Sequence, residues 1–329
     1  MSGDKYLNQE SDDNLPSQFR EAIREFKEWS EKKSDAEQEA NKITNTLYHY
    51  TNGLGLTGIF DSKSIWFTDY RHLNDPTEIE HGIEITKKVI KDLQKVATER
   101  EQGFLEFQYE IFVSEKFKVL DFFIGSFSRD PDNLSQWRAY ADNGRGYAIG
   151  FSESLFSSGD APSEKANENV FVAPVIYCPN ELMALQRCAI QKAMKIRFKA
   201  IDLNSEPSTD SHKENFFKQI SKSLIAWPLL WNCLKAKHCA YSQEKEVRLI
   251  MLGETKNFSE YVKTRLRGSE IVPYTSYCHK GNLLDHIAEI IVGPSSHRQA
   301  ELTVETFLKS RKANPNIKIL RSETPYRAG

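Results

Sequence analysis

Three short segments place reactive or hydrogen-bonding side chains on apolar, strand-like runs. "LYHYT" sets His49 between Tyr48 and Tyr50 and ends in Thr51. "SIWFTD" has an aromatic centre and closes on hydrogen-bonding residues, with Trp66 and Thr68 two apart. "YSQEKEVRLI" carries Glu244 and Glu246 at the entrance to an apolar strand, where period two predicts both carboxylates on one face. A carboxylate held rigidly at a strand start can meet positive charge developing at a sugar carbon, as acids do in glycoside hydrolysis. A lone strand histidine is usually satisfied within its own fold, and a strand-start Glu-x-Glu is usually solvated. The joint occurrence of the three segments is what suggests a site.

A second chemistry is metal-assisted hydrolysis. His49, Asp69, His72, Asp75 and His81 are ligand types suited to zinc or manganese. Asp69, His72 and Asp75, however, fall in an expected turn, where polar residues belong in any case. Gly144, Gly146 and Gly150 have the wrong spacing for a dinucleotide fingerprint and run into a strand. The sequence contains no Walker segment, Gly-x-Ser-x-Gly elbow or kinase signature.

The elements that must position these residues follow from periodicity and punctuation. Phe19, Ile23 and Phe26 at helical spacing predict a helix from Ser17, followed by a polar lead-in, after a terminus (1–16) that reads as disordered. Asp75-Pro76 with Glu78 is a helix start, and Ile79, Ile83, Ile90 and Leu93 carry that helix to about Arg100. "DFFIGSFS", "GYAIGFS", "PVIY", "KEVRLIML", "EIVPYTSY", "AEIIVGP" and "IKILRS" read as strands. "DNLSQWRAYADNG" reads as a short capped helix closed by Asn143-Gly144. Longer helices are predicted at 180–203 and 213–237, the second kinked at Pro228, and a last one at 297–311. The order predicts an α+β fold with a central mixed or antiparallel sheet flanked by helices. The expected organisation is an N-terminal polar, helical extension over 1–44 and one domain over 45–329, with a helical insertion at about 180–240.

Composition bounds the rest. With 39% hydrophobic and 27% charged residues and a formal charge of −2, the chain is ordinary globular material without a global basic field. No stretch approaches a membrane span, and the polar N-terminus lacks the apolar core of a secretory signal. Five cysteines without a Cys-x-x-Cys pair predict neither a disulfide framework nor a zinc knuckle, so a cytoplasmic location is expected.

The order of a His-bearing strand, the helix "GLTGIF", the strand "SIWFTD" and a late strand entered through a glutamate resembles the ADP-ribosyltransferase superfamily. "LNDPTE", "SFSRDPDNLSQWRAYADNGRGYAIGF", "EKEVRLI", "IVPY", "EIIVGP" and "TPYR" together resemble a bacterial family catalogued as domain of unknown function 2971, across 47–327. The first resemblance implies an ADP-ribosyltransferase-like fold that uses NAD as substrate. Glu246 is then the catalytic carboxylate and Glu244 the acceptor-side one. His49 holds an NAD ribose, with Tyr50, Thr51 and Thr68 beside the cofactor and Trp66 stacking on nicotinamide. The superfamily's other branch uses a Ser-x-Ser strand, which "SFSRD" supplies as Ser126 and Ser128. Arg129, Arg138 and Arg145 suit the diphosphate, since arginine makes bidentate contacts. Arg248 can order Glu246.

Proteins of this outline imply a toxin or phage-defence effector that modifies RNA, DNA or protein. An antitoxin partner is expected and a membrane partner is not. Trp137 and Tyr140 could stack on a single-stranded nucleic acid. "LYHYT" and "SIWFTD" are expected as neighbouring strands lining one cleft, with His49, Thr51 and Trp66 directed into it and Glu246 reaching it from the late strand. A metal-dependent hydrolase or nuclease, and a non-catalytic ligand-sensing interaction module, remain the alternatives.

Overall fold

The computed structural model describes residues 17–73, 78–114, 120–157, 170–203, 226–254, 261–279 and 281–328. In chain order the helices are α1 (Ser17–Ala40), α2 (Gly53–Ser62), α3 (Glu78–Gln94), α4 (Glu99–Val113), α5 (Leu134–Tyr140), α6 (Ser154–Ser157), α7 (Pro179–Leu203), α8 (Ala226–Lys235) and α9 (Ala300–Ser310). The strands are β1 (Leu47–Thr51), β2 (Ile65–Asp69), β3 (Leu120–Ser128), β4 (Tyr147–Phe151), β5 (Val170–Pro174), β6 (Glu246–Glu254), β7 (Lys263–Arg267), β8 (Glu270–Tyr277), β9 (Ile287–Val292) and β10 (Lys318–Arg321). They divide into two units, each gathered from three stretches of chain.

The first unit comprises Met1–Ala40, Asp75–Val119 and Ile176–Cys239, and its regular elements among the described residues are α1, α3, α4, α7 and α8. Phe19, Ile23 and Phe26 are buried as the helical spacing requires. The polar stretch expected as a lead-in stays helical to Ala40, because Ala, Glu, Gln and Lys are strong helix formers. A polar network fixes the interior. Gln186 Nε2 donates to Thr86 Oγ1 at 2.7 Å and to the Leu229 carbonyl at 2.9 Å, and Asn232 Nδ2 donates to Gln186 Oε1 at 3.0 Å. α3 crosses α8 closely at Gly82, where an added Cβ would stand 2.6 Å from Cys233 Cα. α4, opened by a Thr98–Glu101 capping box, is absent from the sequence expectation because its apolar residues lack a clean stripe. The Asn74-Asp75-Pro76 turn, residues 1–16 and most of the 213–237 helix lie outside the described residues. Pro228 lies in α8; the residues before Ala226, which decide whether it kinks a longer helix, lie outside the described residues.

The second unit comprises Asn41–Asn74, Leu120–Val175 and Ala240–Gly329. It carries a ten-stranded mixed sheet, antiparallel except where β10 runs parallel to β9. The α+β expectation with a mixed, mostly antiparallel sheet is borne out. "PVIY" is not a strand of its own: β5 ends at Pro174, and Ile176 makes only an isolated bridge to Ala236. Pro174 supplies no ladder donor, which suits a strand end.

β3 organises the sheet. β6 pairs with it over its full length, from Leu120↔Glu254 to Ser128↔Glu246. β1 meets β3 at Tyr48↔Ser128, and β2 meets it at Thr68↔Ile124 and Asp69↔Phe123. A strand has two edges, so β1 and β2 must share the edge opposite β6. Between Ile124 and Ser128 no described strand pairs with β3 on that edge, and the sheet splits there. One arm runs β1-β4-β9-β10 and the other β2-β8-β7. β1 and β2 are therefore not paired neighbours, as the sequence reading expects; they diverge from a common partner.

One face of the sheet makes the main core. Leu47, Phe67, Phe123, Phe127, Ile149, Val247, Leu249 and Ile290 pack there with Leu56, Ile59 and Phe60 of α2 and with Val304 and Leu308 of α9. Phe67 lies across Gly125, where an added Cβ would come within 2.5 Å of the ring. The other face carries a smaller cluster of Tyr48, Tyr50, Trp137, Ala141, Ala148 and Ile291 beneath α5. Beyond that cluster the second face mixes polar side chains with buried Phe122, Ile124, Ile250 and Val272.

Candidate functional site

Register assigns each candidate residue to a face. Tyr48, Ser128 and Glu246 lie in line across β1, β3 and β6, and Ser126 pairs with Arg248. Thr68 pairs with Ile124 on β3 and Tyr274 on β8, and Arg265 on β7 faces Val272. By period two, Ser126, Ser128, Glu246, Arg248, Thr68, Trp66, Tyr274 and Arg265 share the second face.

Glu246 and Arg248 form a buried pair, with Nε donating to Oε1 at 3.0 Å and Nη2 to Oε2 at 3.3 Å. Glu244 ends a 3-10 turn (Cys239–Glu244) and is joined to β6 through Lys245 at φ 47°. The strand begins only at Glu246, so the two carboxylates do not alternate along one strand as their spacing predicts. Glu244 instead accepts from Tyr140 Oη at 3.1 Å, while its carbonyl accepts from Ser128 Oγ at 2.7 Å.

His49 departs from its expected position. Leu47 and Thr51 face the main core side, where Thr51 sits against Gly55 of α2, and alternation puts the His49 Cα with them. Its ring turns into the split: Nδ1 lies 3.0 Å from the Ser126 carbonyl on the unpaired edge of β3, and the ring packs against Phe127 at 5.7 Å. A carbonyl only accepts, so Nδ1 carries the proton, and the neutral ring presents Nε2 as an acceptor. Burial lowers the imidazole pKa, the bond to the Ser126 carbonyl raises it, and the Arg265 charge lowers it again, leaving a net shift that favours the neutral form.

The remaining expected residues are dispersed. Tyr50 is a structural tie: its hydroxyl donates to the Asp130 carbonyl at 2.7 Å and accepts from the Asn133 N–H at 3.0 Å. Arg129, Arg138 and Arg145 are exposed. Trp137 is fully buried, with Nε1 donating to Asp132 at 2.6 Å, so it offers no stacking surface. Trp66, by contrast, is 38% exposed and packs on Tyr274 with ring centroids 4.5 Å apart. Arg265, which the sequence reading missed, brings its guanidinium 5.7 Å from the Trp66 ring and donates to Thr68 Oγ1 at 3.1 Å. Alternating Lys, Arg and Arg at 263, 265 and 267 was the available signal.

Of the metal donors, Asp75 lies outside the described residues. Asp69 is gripped by Arg71, which also reaches Asp121 at 2.9 Å. Among the described residues no three His, Cys, Asp or Glu side chains come together as a metal site. None of the described helices is long and apolar enough to cross a membrane.

Fold and site together define an α+β protein with a split, mostly antiparallel sheet and a buried Glu–Arg pair beside the split. Residues 136–249 match the model of a family described as "Protein of unknown function (DUF2971)", which supports the family resemblance read from the sequence. No curated protein and no solved structure gives a significant match to the chain.

Proposed function

We propose that the split sheet is the site of an NAD-dependent ADP-ribosyltransferase-like effector, of the toxin or phage-defence kind, which modifies a nucleic acid or a protein. The observation that carries the reading is that β3 holds both groups: a neutral histidine acceptor lies against its unpaired edge, and a carboxylate fixed by an arginine stands on β6, the strand along its other edge. His49 Nε2 accepts from a ribose hydroxyl. Glu246, held by Arg248, stabilises positive charge at the ribose C1′. The C1′–nitrogen bond breaks, its electron pair leaving with neutral nicotinamide. The acceptor's nucleophilic atom bonds to C1′ and its proton passes to Glu244 or to water, so charge and atoms balance.

Incubation with NAD labelled on its adenylate phosphate, together with lysate, tests the reading by sorting label into protein, RNA and DNA. Transfer is expected in one pool, reduced about a hundredfold or more in Glu246→Gln, which keeps the shape and loses the charge. Absence of label in every pool, with no loss of NAD, overturns it. Toxicity on expression that survives Glu246→Gln unchanged favours an interaction module instead.

A further inference from the structure

The second face of β2, β8 and β7 has a chemistry separate from the Glu–Arg pair. Trp66 exposes part of its ring beside Tyr274, and Arg265 stands near that ring. Lys263 pairs with Tyr274 across the ladder and is exposed on the same face. Arg265 Nε is buried with no hydrogen-bond partner, although Nη2 bonds Thr68. Arg267 is already committed, to Glu270 at 3.1 Å and to the His72 carbonyl at 2.7 Å. The surface therefore presents two cations on the edge strand β7 near an accessible aromatic ring on β2.

This arrangement decides between two ligands for Trp66. The nicotinamide of NAD is a cationic ring, and stacking it here would set a second positive charge beside Arg265. A nucleobase is neutral and its phosphate anionic, so both suit the surface. Lys263 and Arg265 are two residues apart on one strand, about 6.7 Å, a separation that successive phosphates of an extended single strand can follow. A base stacked on Trp66 must first be unstacked from its neighbours, which single strands permit and duplexes resist.

We infer that the Trp66–Arg265–Lys263 face binds single-stranded nucleic acid, with a base on Trp66 and phosphates on the two cations. As the acceptor surface of the proposed transfer it rests on that reading; as a binding surface it does not. Trp66 thereby moves from a cofactor role to an acceptor role.

The test is fluorescence anisotropy of labelled U12, dT12 and a 12-base-pair DNA duplex, without NAD, on the full chain at several salt concentrations. Either single strand should bind tighter than the duplex, and the preferred one identifies the acceptor as RNA or DNA. Trp66→Ala should weaken binding about tenfold or more, with Trp66→Phe recovering part of it. Lys263→Gln should weaken it and reduce the logarithmic salt slope by about 0.7. Lys318→Gln, on the outermost strand of the other arm, should change nothing. Thermal melts of each variant separate lost binding from lost folding. Equal affinity for duplex, or unchanged binding in folded Trp66→Ala and Lys263→Gln, overturns the inference. Glu246→Gln should keep oligonucleotide affinity whether or not ADP-ribosyl transfer is found, so failure of one proposal does not disguise failure of the other.

Discussion

His49 Nδ1 is committed to a backbone carbonyl, and burial with the nearby Arg265 charge keeps the ring neutral. Its folded pKa lies below the usual imidazole value of about 6.5. As pH falls through that value the unfolded chain takes up a proton that the folded chain resists, so stability is lost toward acid until the depressed folded value is reached. Urea midpoints at several pH values between neutrality and pH 5 should therefore drop less steeply in His49→Gln than in the parent. Parallel slopes would show that His49 titrates normally. Gly125→Ala offers a second residue-level check. Its Cβ would meet the Phe67 ring at 2.5 Å, and a buried ring between strands has little room to withdraw. A loss of about 1–3 kcal/mol is expected from denaturant titration, partly recovered by Phe67→Leu in the same chain.

At the scale of elements, the link between β1 and α2 sets where the His49 strand ends. Asn52 Oδ1 accepts from the Gly55 N–H at 2.9 Å and caps the helix that follows. Asn52→Ala should cost about 1 kcal/mol in a thermal or urea melt. A neutral outcome would mean that packing of Leu56, Ile59 and Phe60 alone anchors α2. Strand identity was legible where alternation is strong. β1, β2, β4, β6 and β9 stand close to where their patterns put them, and α5 starts from its Asn133 cap. β7 was not legible, because "KTRLR" buries little and reads as a polar loop. Nor was the partnership of β1 with β2. Strand pairing depends on contacts between distant segments, and nothing local in either strand says that β3 will stand between them.

For the whole chain, discontinuity is the governing fact. β4 pairs with β1 and β9, and β6 pairs with β3 and β5; β1, β3 and β9 lie outside the 136–249 segment that the family model matches. Expressed alone, that segment should give no cooperative urea transition by circular dichroism, since its strands lack their long-range partners. A sharp transition would show a smaller folding unit than the sheet implies. The chain terminus is tied in similarly. Asp132 accepts from Trp137 Nε1 at 2.6 Å, Ser322 Oγ at 2.5 Å and the Glu323 and Thr324 N–H groups at 2.7 and 3.1 Å. Burial raises the Asp132 pKa, but these donors outweigh it and leave the net shift downward. Asp132→Ala should cost about 2–4 kcal/mol, because several donors lose a charged acceptor together.

Sequence alone determined the α+β class, most strands, the capped short helix α5 and the family resemblance, since each of these is written in local spacing and residue type. It also singled out Glu246 as the fixed carboxylate, because a charge at the mouth of an apolar run can be recognised without knowing its neighbours. Tertiary structure decided what those residues face. The split along β3, the turn of the His49 ring into it, the burial of Trp137 and the approach of Arg265 to Trp66 each bring together positions from 75 to almost 200 residues apart or depend on such pairings. Period-two alternation tells which residues share a face of one strand, but only pairing across strands tells which faces meet.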